Sequence, residues 1–240
     1  MLRILTDSIL SVVYPQECTL CKLPVESVVD GKICSGCWDN TKIFTGNETL
    51  CYKCGAFLFD GRCVDGMSCG KCEPHHYDRA SASGLYRGAL ATAIIRLKRT
   101  PHIPRRLQQL IRQTLIRSRF AGDFVIIPVP LSTRRRRERG FNQASVIAKV
   151  VARYSHAPVD ETSLIRTIHT PMHRAGMDTK ARKLTVDHAF EVVRPKLVEG
   201  RRILLVDDVF TTGATVSACA GELKKSGATT VDVMTIAHAA

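Results

Sequence analysis

Four Cys-x-x-Cys turns constrain this chain more than any other feature: Cys18/Cys21, Cys34/Cys37, Cys51/Cys54 and Cys69/Cys72. A two-residue spacer lets both thiolates of one turn face a single ion about 2.3 Å away, and a second such turn completes a tetrahedron. The turns are separated by 12 residues in the first half and 14 in the second, spacings that suit hairpin ribbons holding zinc. Sequential pairing gives one site from Cys18, Cys21, Cys34 and Cys37 and another from Cys51, Cys54, Cys69 and Cys72; an interleaved pairing is the alternative. Cys63, His75 and His76 lie close enough in sequence to substitute for a ligand, though a spare thiol and two exposed linker histidines are the simpler reading. A redox role would need one such motif at a helix start in a strand–helix–strand setting, and these turns lie among Gly, Asp and Lys. With four protein ligands each, the two zinc ions are expected to be structural. The segment carries so few large apolar side chains that metal binding must supply most of its folding energy.

Nothing in residues 1–16 has the long apolar core and small-residue cleavage site of an export signal. Ile4, Leu5, Ile9, Val12 and Val13 instead suggest a short amphipathic helix there. No apolar run is long enough to cross a bilayer, so membrane insertion is not expected. The cysteines then belong in a reducing cytoplasm, where disulfides are rare. The composition, 45% hydrophobic and 24% charged, is that of a globular chain and excludes a disordered or collagen-like one. Its charge is uneven. Of a net +13, the stretch from Arg96 to Arg139 holds 13 basic and 2 acidic residues. Such a surface prefers phosphate-rich ligands or nucleic acid over acidic partners.

Beyond a ribbon module at 17–75, the texture changes over 79–240. Apolar strands are predicted at Ala80–Tyr86, Phe124–Val129, Ile203–Val206 and Val231–Ile236. Helices are predicted at Ala89–Leu97, around Leu107, Leu110, Ile111 and Leu115, around Ala144, Ile147, Ala148 and Val151, and at Ala214–Lys225. Strands alternating with helices imply an α/β domain with a parallel sheet, whose ligands bind at the carboxyl ends of the strands.

One such end is distinctive. The strand Ile203-Leu204-Leu205-Val206 runs into Asp207-Asp208-Val209-Phe210, and Thr211-Thr212-Gly213-Ala214-Thr215 opens the next helix. Two adjacent acids can accept hydrogen bonds from a vicinal diol such as that of a ribose. The turn after them offers amides, hydroxyls and a positive helix dipole to a phosphate, and Gly213 has no side chain to block the approach. The spacing suits a ribose 5-phosphate lying across the turn, whereas a plain strand-to-helix turn would need only one Asp or one Thr as a cap.

The string from Leu205 to Thr215 resembles the phosphoribosyl-diphosphate signature of type I phosphoribosyltransferases. The stretch Ile127-Pro128-Val129-Pro130-Leu131-Ser132, followed by Arg139-Gly140-Phe141-Asn142-Gln143, is similar to the other landmark of the ComF/GntX branch, and the tandem cysteine turns resemble its double zinc ribbon. The resemblance implies a phosphoribosyltransferase-like domain that binds phosphoribosyl diphosphate with Mg²⁺. Asp207 and Asp208 would hold the ribose hydroxyls, Thr211, Thr212, Gly213, Ala214 and Thr215 the 5-phosphate, and Leu131, Ser132 and Thr133 the diphosphate. It also implies either transfer of phosphoribosyl to an acceptor the sequence does not identify, or a non-enzymatic role in DNA uptake with single-stranded DNA or a DNA-processing protein as partner. The region Thr167–Phe190 would form a hood over the acceptor. It departs from the family pattern at His173, where a Gln is common, and at Thr185, where an Asn is common.

The run Arg134-Arg135-Arg136-Arg137-Glu138-Arg139 admits three readings. Guanidinium groups can neutralise a departing diphosphate, track the phosphates of a nucleic acid, or simply form a solvated face. Four consecutive arginines cannot all enter one site, so Arg134, Arg135, Arg136 and Arg137 are the nucleic-acid candidates and Arg139, beside Gly140-Phe141-Asn142, the candidate for the pocket. Lys98 and Arg99 could reach the same mouth. No side chain is assigned as catalytic.

Overall fold

A computed structural model describes residues 15–27, 29–58, 68–118, 120, 122–167 and 189–239. The N-terminal helix expected within 1–16, Cys63, His173 and Thr185 therefore fall outside the described residues or almost entirely so.

Four parallel strands form the body: β1 (Arg79–Leu85), β2 (Val125–Pro128), β5 (Arg202–Phe210) and β6 (Thr230–His238), in the order β1-β6-β5-β2. In β5 successive side chains pack on opposite faces, as a pleated strand requires. Leu204 and Val206 join Met234 and Ile236 against helices α2 (Gly88–Leu97), α3 (Arg105–Ser118) and α5 (Gln143–Ser155). Ile203 and Leu205 join Val231 and Val233 against α6 (Ala214–Lys225) and a short antiparallel pair, β3 (Leu164–Arg166) with β4 (Phe190–Val192). With both faces covered, the central strands read as continuous apolar runs, which makes them legible in the sequence. The α/β parallel-sheet architecture is the one expected.

Two elements differ from expectation. β5 continues past Val206 because Asp207, Val209 and Phe210 stay in register with Thr235, Ala237 and His238 of β6. The arginine run, to which the sequence assigned no element, is a helix, α4 (Thr133–Arg139). Ser132 caps its start by accepting from the Arg135 amide, and Gly140 closes it at φ 77°. A Ser N-cap, a run of good helix formers and a left-handed Gly are sufficient for one short helix.

The ribbon module docks along β1, which would otherwise expose an unpaired edge. The Phe44 amide donates to Ser83 O, Leu85 to Lys42 O and Ala80 to Lys53 O, all within 3.0 Å. Gly84 permits this approach: a Cβ there would lie 2.4 Å from Lys42 O. A short helix of the first ribbon, α1 (Ser35–Asp39), buries Trp38 in the same cluster as α2 and α3. Arg117 crosses from α3 to the junction, donating to Phe44 O and to Ala82 O, and its burial pushes the guanidinium pKa down. Among the described residues no helix is long and apolar enough to cross a membrane.

Candidate metal centres and sugar-phosphate site

The eight paired cysteines come together as two tetrads. Cys18, Cys21, Cys34 and Cys37 form one and Cys51, Cys54, Cys69 and Cys72 the other, with the sulfurs of each set within 4.8 Å of one another. This is the sequential pairing. Sγ–Sγ distances are 3.8 Å for Cys18–Cys37, 3.5 Å for Cys21–Cys34, 3.6 Å for Cys51–Cys72 and 3.5 Å for Cys54–Cys69. A tetrahedron of sulfurs about 2.3 Å from zinc has edges of about 3.8 Å, so both tetrads fit the ion.

Their electrostatics point the same way. Burial opposes ionisation at Cys18 and Cys51, yet backbone donors, including the Cys34 amide at 3.4 Å and the Cys69 amide at 3.3 Å, bring each thiol down to about 6. Burial and the neighbouring sulfurs push Cys37 and Cys54 up, and Cys72 up to about 11. A divalent cation relieves this conflict by accepting four sulfurs at once, and the closed ligand sets make the sites structural.

The second tetrad lies beside the start of β1, where the Ala80 amide donates to Lys53 O. After Cys72 the chain folds back so that the His75 amide donates to Cys72 O, while Lys53 Nζ donates to the carbonyls of Glu73 and His75. His76 is exposed, as the sequence suggested, whereas His75 is half-buried. The His75 ring pairs with the Tyr77 hydroxyl at 2.7 Å, and Tyr77 meets Phe210 edge to face. His76 donates its amide to Ser217 of α6.

The turn from Thr211 to Thr215 reaches solvent. Thr211 and Thr212 are exposed, Ala214 and Thr215 are half-buried, and Gly213 holds φ 79° as the N-cap of α6. The first-turn amides of a helix lack intrahelical acceptors and point at whatever approaches. Gly213 is required twice over: by its left-handed φ, and because a Cβ would lie 2.6 Å from Phe210 Cζ and 2.7 Å from His75 Cε1.

Asp207 and Asp208 stand at the carboxyl end of β5 and face opposite sides of it. Asp207 lies in the fields of Cys219 on α6 and Arg166 on β3, and its Oδ1 accepts the Asp208 amide at 2.8 Å. Burial, reinforced by the charge of Asp208, pushes the Asp207 carboxyl well above the usual range. Asp208 is buried and pairs through Oδ2 with Lys98 Nζ at 3.0 Å. Lys98 therefore reaches the strand end, as the sequence allowed. The ion pair with this acid is made by Lys98 and not by its neighbour Arg99.

The arginines divide between sites. Arg134 and Arg137 line a cavity of about 450 Å³ with Ser132, Thr133, Glu138, Arg166 and Thr167. Arg136 faces a second one, of about 240 Å³, shared with Leu131, Gly140 and Phe141. Arg139 donates to Gln143 Oε1 at 2.9 Å, so it braces α5 and lines neither cavity. Arg166, over the Phe190 ring at 5.2 Å, lines the first cavity without any signal in the sequence. It sits alone on a three-residue strand with no motif around it.

A family model described as a double zinc ribbon domain matches residues 9–73. The DNA utilization protein YhgH of Shigella flexneri is 32% identical over 227 residues, covering 91% of this chain and 95% of that protein. Competence protein F of Haemophilus influenzae is 30% identical over 235 residues, covering 93% and 97%. Among solved structures, the glutamine phosphoribosylpyrophosphate amidotransferase from B. subtilis, complexed with ADP and GMP, aligns over 54% of this chain and 25% of its own at 22% identity, with a TM-score of 0.36. The two sequence relatives match across ribbon and sheet together, and the chain belongs to the ComF family.

Proposed function

We propose that this chain binds phosphoribosyl diphosphate with Mg²⁺ at the carboxyl end of β5. The observation that carries the reading is the solvent-facing Thr211–Thr215 turn, with its left-handed Gly213 and the acid pair at its base. The 5-phosphate takes the first-turn amides of α6 and the hydroxyls of Thr211, Thr212 and Thr215. Asp207 and Asp208 take the ribose hydroxyls from either side of the strand end. Their carboxylates are the hard oxygen donors that Mg²⁺ prefers, and the ion would neutralise part of the diphosphate charge. The loop Leu131-Ser132-Thr133 meets the diphosphate, with Arg134 and Arg137 close enough to share its charge. Transfer of the phosphoribosyl group to an acceptor would need no protein nucleophile, only this stabilisation of the leaving diphosphate. In a thermal melt, phosphoribosyl diphosphate with Mg²⁺ raises Tm, and Asp207→Asn combined with Asp208→Asn removes the rise. Absence of a rise in the parent chain removes the ligand. Diphosphate release in a screen of bases and nucleotides tests turnover.

A second reading adds single-stranded nucleic acid. It is favoured by the exposed Arg134, Arg136 and Arg137 on one short helix beside the site. It also agrees with the names of relatives described as DNA utilization and competence proteins. Such contacts would be to phosphates and would weaken with salt.

A further inference from the structure

We infer that Lys98 is the residue that makes this site prefer a diphosphate-bearing sugar over a bare sugar 5-phosphate. The inference rests on the sugar-phosphate reading of the site and deepens it.

Lys98 is the C-cap of α2, at the start of the basic stretch and far in sequence from the signature turn. The fold nevertheless brings its ammonium to the buried Asp208, at 3.0 Å from Oδ2. Among the described residues that oxygen has no hydrogen-bond donor, so the ammonium is its only counter-charge. The Asp208 side chain is 9% exposed, whereas Lys98 remains 32% exposed. The acid is fixed while the cation on its flexible stem can turn outward.

A carboxylate left without a cation in such a place is costly. With the site empty, Lys98 supplies that cation. A ribose hydroxyl donating to Asp208 would take over part of the compensation of that carboxylate and release the ammonium, and Asp207 and Asp208 would be the residues to hold Mg²⁺. The substituent on the anomeric carbon is adjacent to the ring hydroxyls that the acids hold. A released ammonium beside them therefore meets the diphosphate, if one is attached. Ribose 5-phosphate offers it only a neutral anomeric hydroxyl there, so that ligand breaks the ion pair for a weaker contact than a charged diphosphate oxygen gives.

The test compares two ligands on three proteins, with Mg²⁺ present: phosphoribosyl diphosphate and ribose 5-phosphate, titrated into the parent chain, Lys98→Met and Lys98→Arg. A charge-assisted hydrogen bond is worth roughly 10- to 100-fold in affinity. Lys98→Met should therefore weaken the diphosphate ligand by at least about tenfold while ribose 5-phosphate binds as well as before or better, and Lys98→Arg should recover part of the preference. Equal weakening of both ligands would reduce Lys98 to a prop for Asp208 and overturn the inference, as would no change in either. If the parent chain bound neither ligand, the site reading itself would fail, an outcome distinct from both. Lys98→Gln repeats the comparison should Lys98→Met lose its zinc or its cooperative melt.

Discussion

His75 lies against Gly213: a Cβ on that glycine would come within 2.7 Å of the histidine Cε1. The segment that follows Cys72, the last ligand of the second tetrad, therefore touches the turn proposed to hold the phosphate. Gly213→Ala must relieve both that clash and a φ of 79°. It should cost about 1–3 kcal/mol of stability and abolish sugar-phosphate binding. Chemical denaturation and ligand titration of the variant check both effects. Unchanged stability would show that the turn adapts.

The tetrads should carry about two zinc ions per chain. Chelation is expected to unfold the ribbon, since its own core is small. Because the ribbon holds the edge of β1 and the segment around His75, removing zinc should also lower the affinity for sugar phosphate. Zinc release measured against a chromogenic chelator, followed by ligand titration of the stripped protein, tests the coupling. Full affinity without zinc would separate the two modules.

Asp207 makes a pH prediction. Folding raises its pKa through burial and the charge of Asp208. The folded chain therefore binds that proton more tightly than the unfolded one does. The stability it confers is complete below the ordinary carboxylate value of about 3.9 and is lost as pH climbs through the raised value. Asp207→Asn should raise the Tm of the ligand-free protein, on the order of 2–4 °C for each kcal/mol recovered, and the gain should grow with pH. The same variant should lose the ligand-induced rise. An Asn variant that melts lower at neutral pH would contradict this.

Arginines of the basic stretch should behave as two classes. Arg134, Arg136 and Arg137 are exposed on a short surface helix with no buried residue, so their replacement by Ala should leave Tm unchanged. It should, however, weaken single-strand binding and flatten its salt dependence, by about 0.7 in log–log slope for each phosphate that no longer meets an arginine. Arg117 holds Phe44 and Ala82 carbonyls at the ribbon junction, and its replacement should lower Tm sharply with little direct effect on nucleic-acid affinity. Filter binding across a salt series, with parallel melts, separates the classes.

The sequence displayed the parts that depend on local chemistry. Cysteine spacing predicted the two tetrads because two-residue turns leave few ways to close a tetrahedron. Apolar runs such as Ile203–Val206 predicted buried parallel strands, and Asp207 to Thr215 predicted a turn at the carboxyl end of one of them. What stayed hidden depends on contacts distant in sequence. Lys98 gains its meaning only when α2 ends beside Asp208, and Arg166 only when β3 pairs with β4. The helix of Thr133–Arg139 has no apolar periodicity to betray it, and only the Ser132 cap and the Gly140 stop mark its ends. The opposite facing of Asp207 and Asp208 follows from the strand running on beyond Val206, a pairing set by β6 rather than by the residues themselves.

Calorimetric titration of phosphoribosyl diphosphate into the zinc-loaded chain, with and without Mg²⁺, decides whether the carboxyl end of β5 holds this ligand. Saturable binding at one site per chain, strengthened by Mg²⁺ and lost in the Asp207→Asn, Asp208→Asn double variant, is expected. Absence of binding in the parent chain, or equal binding by the double variant, would contradict it.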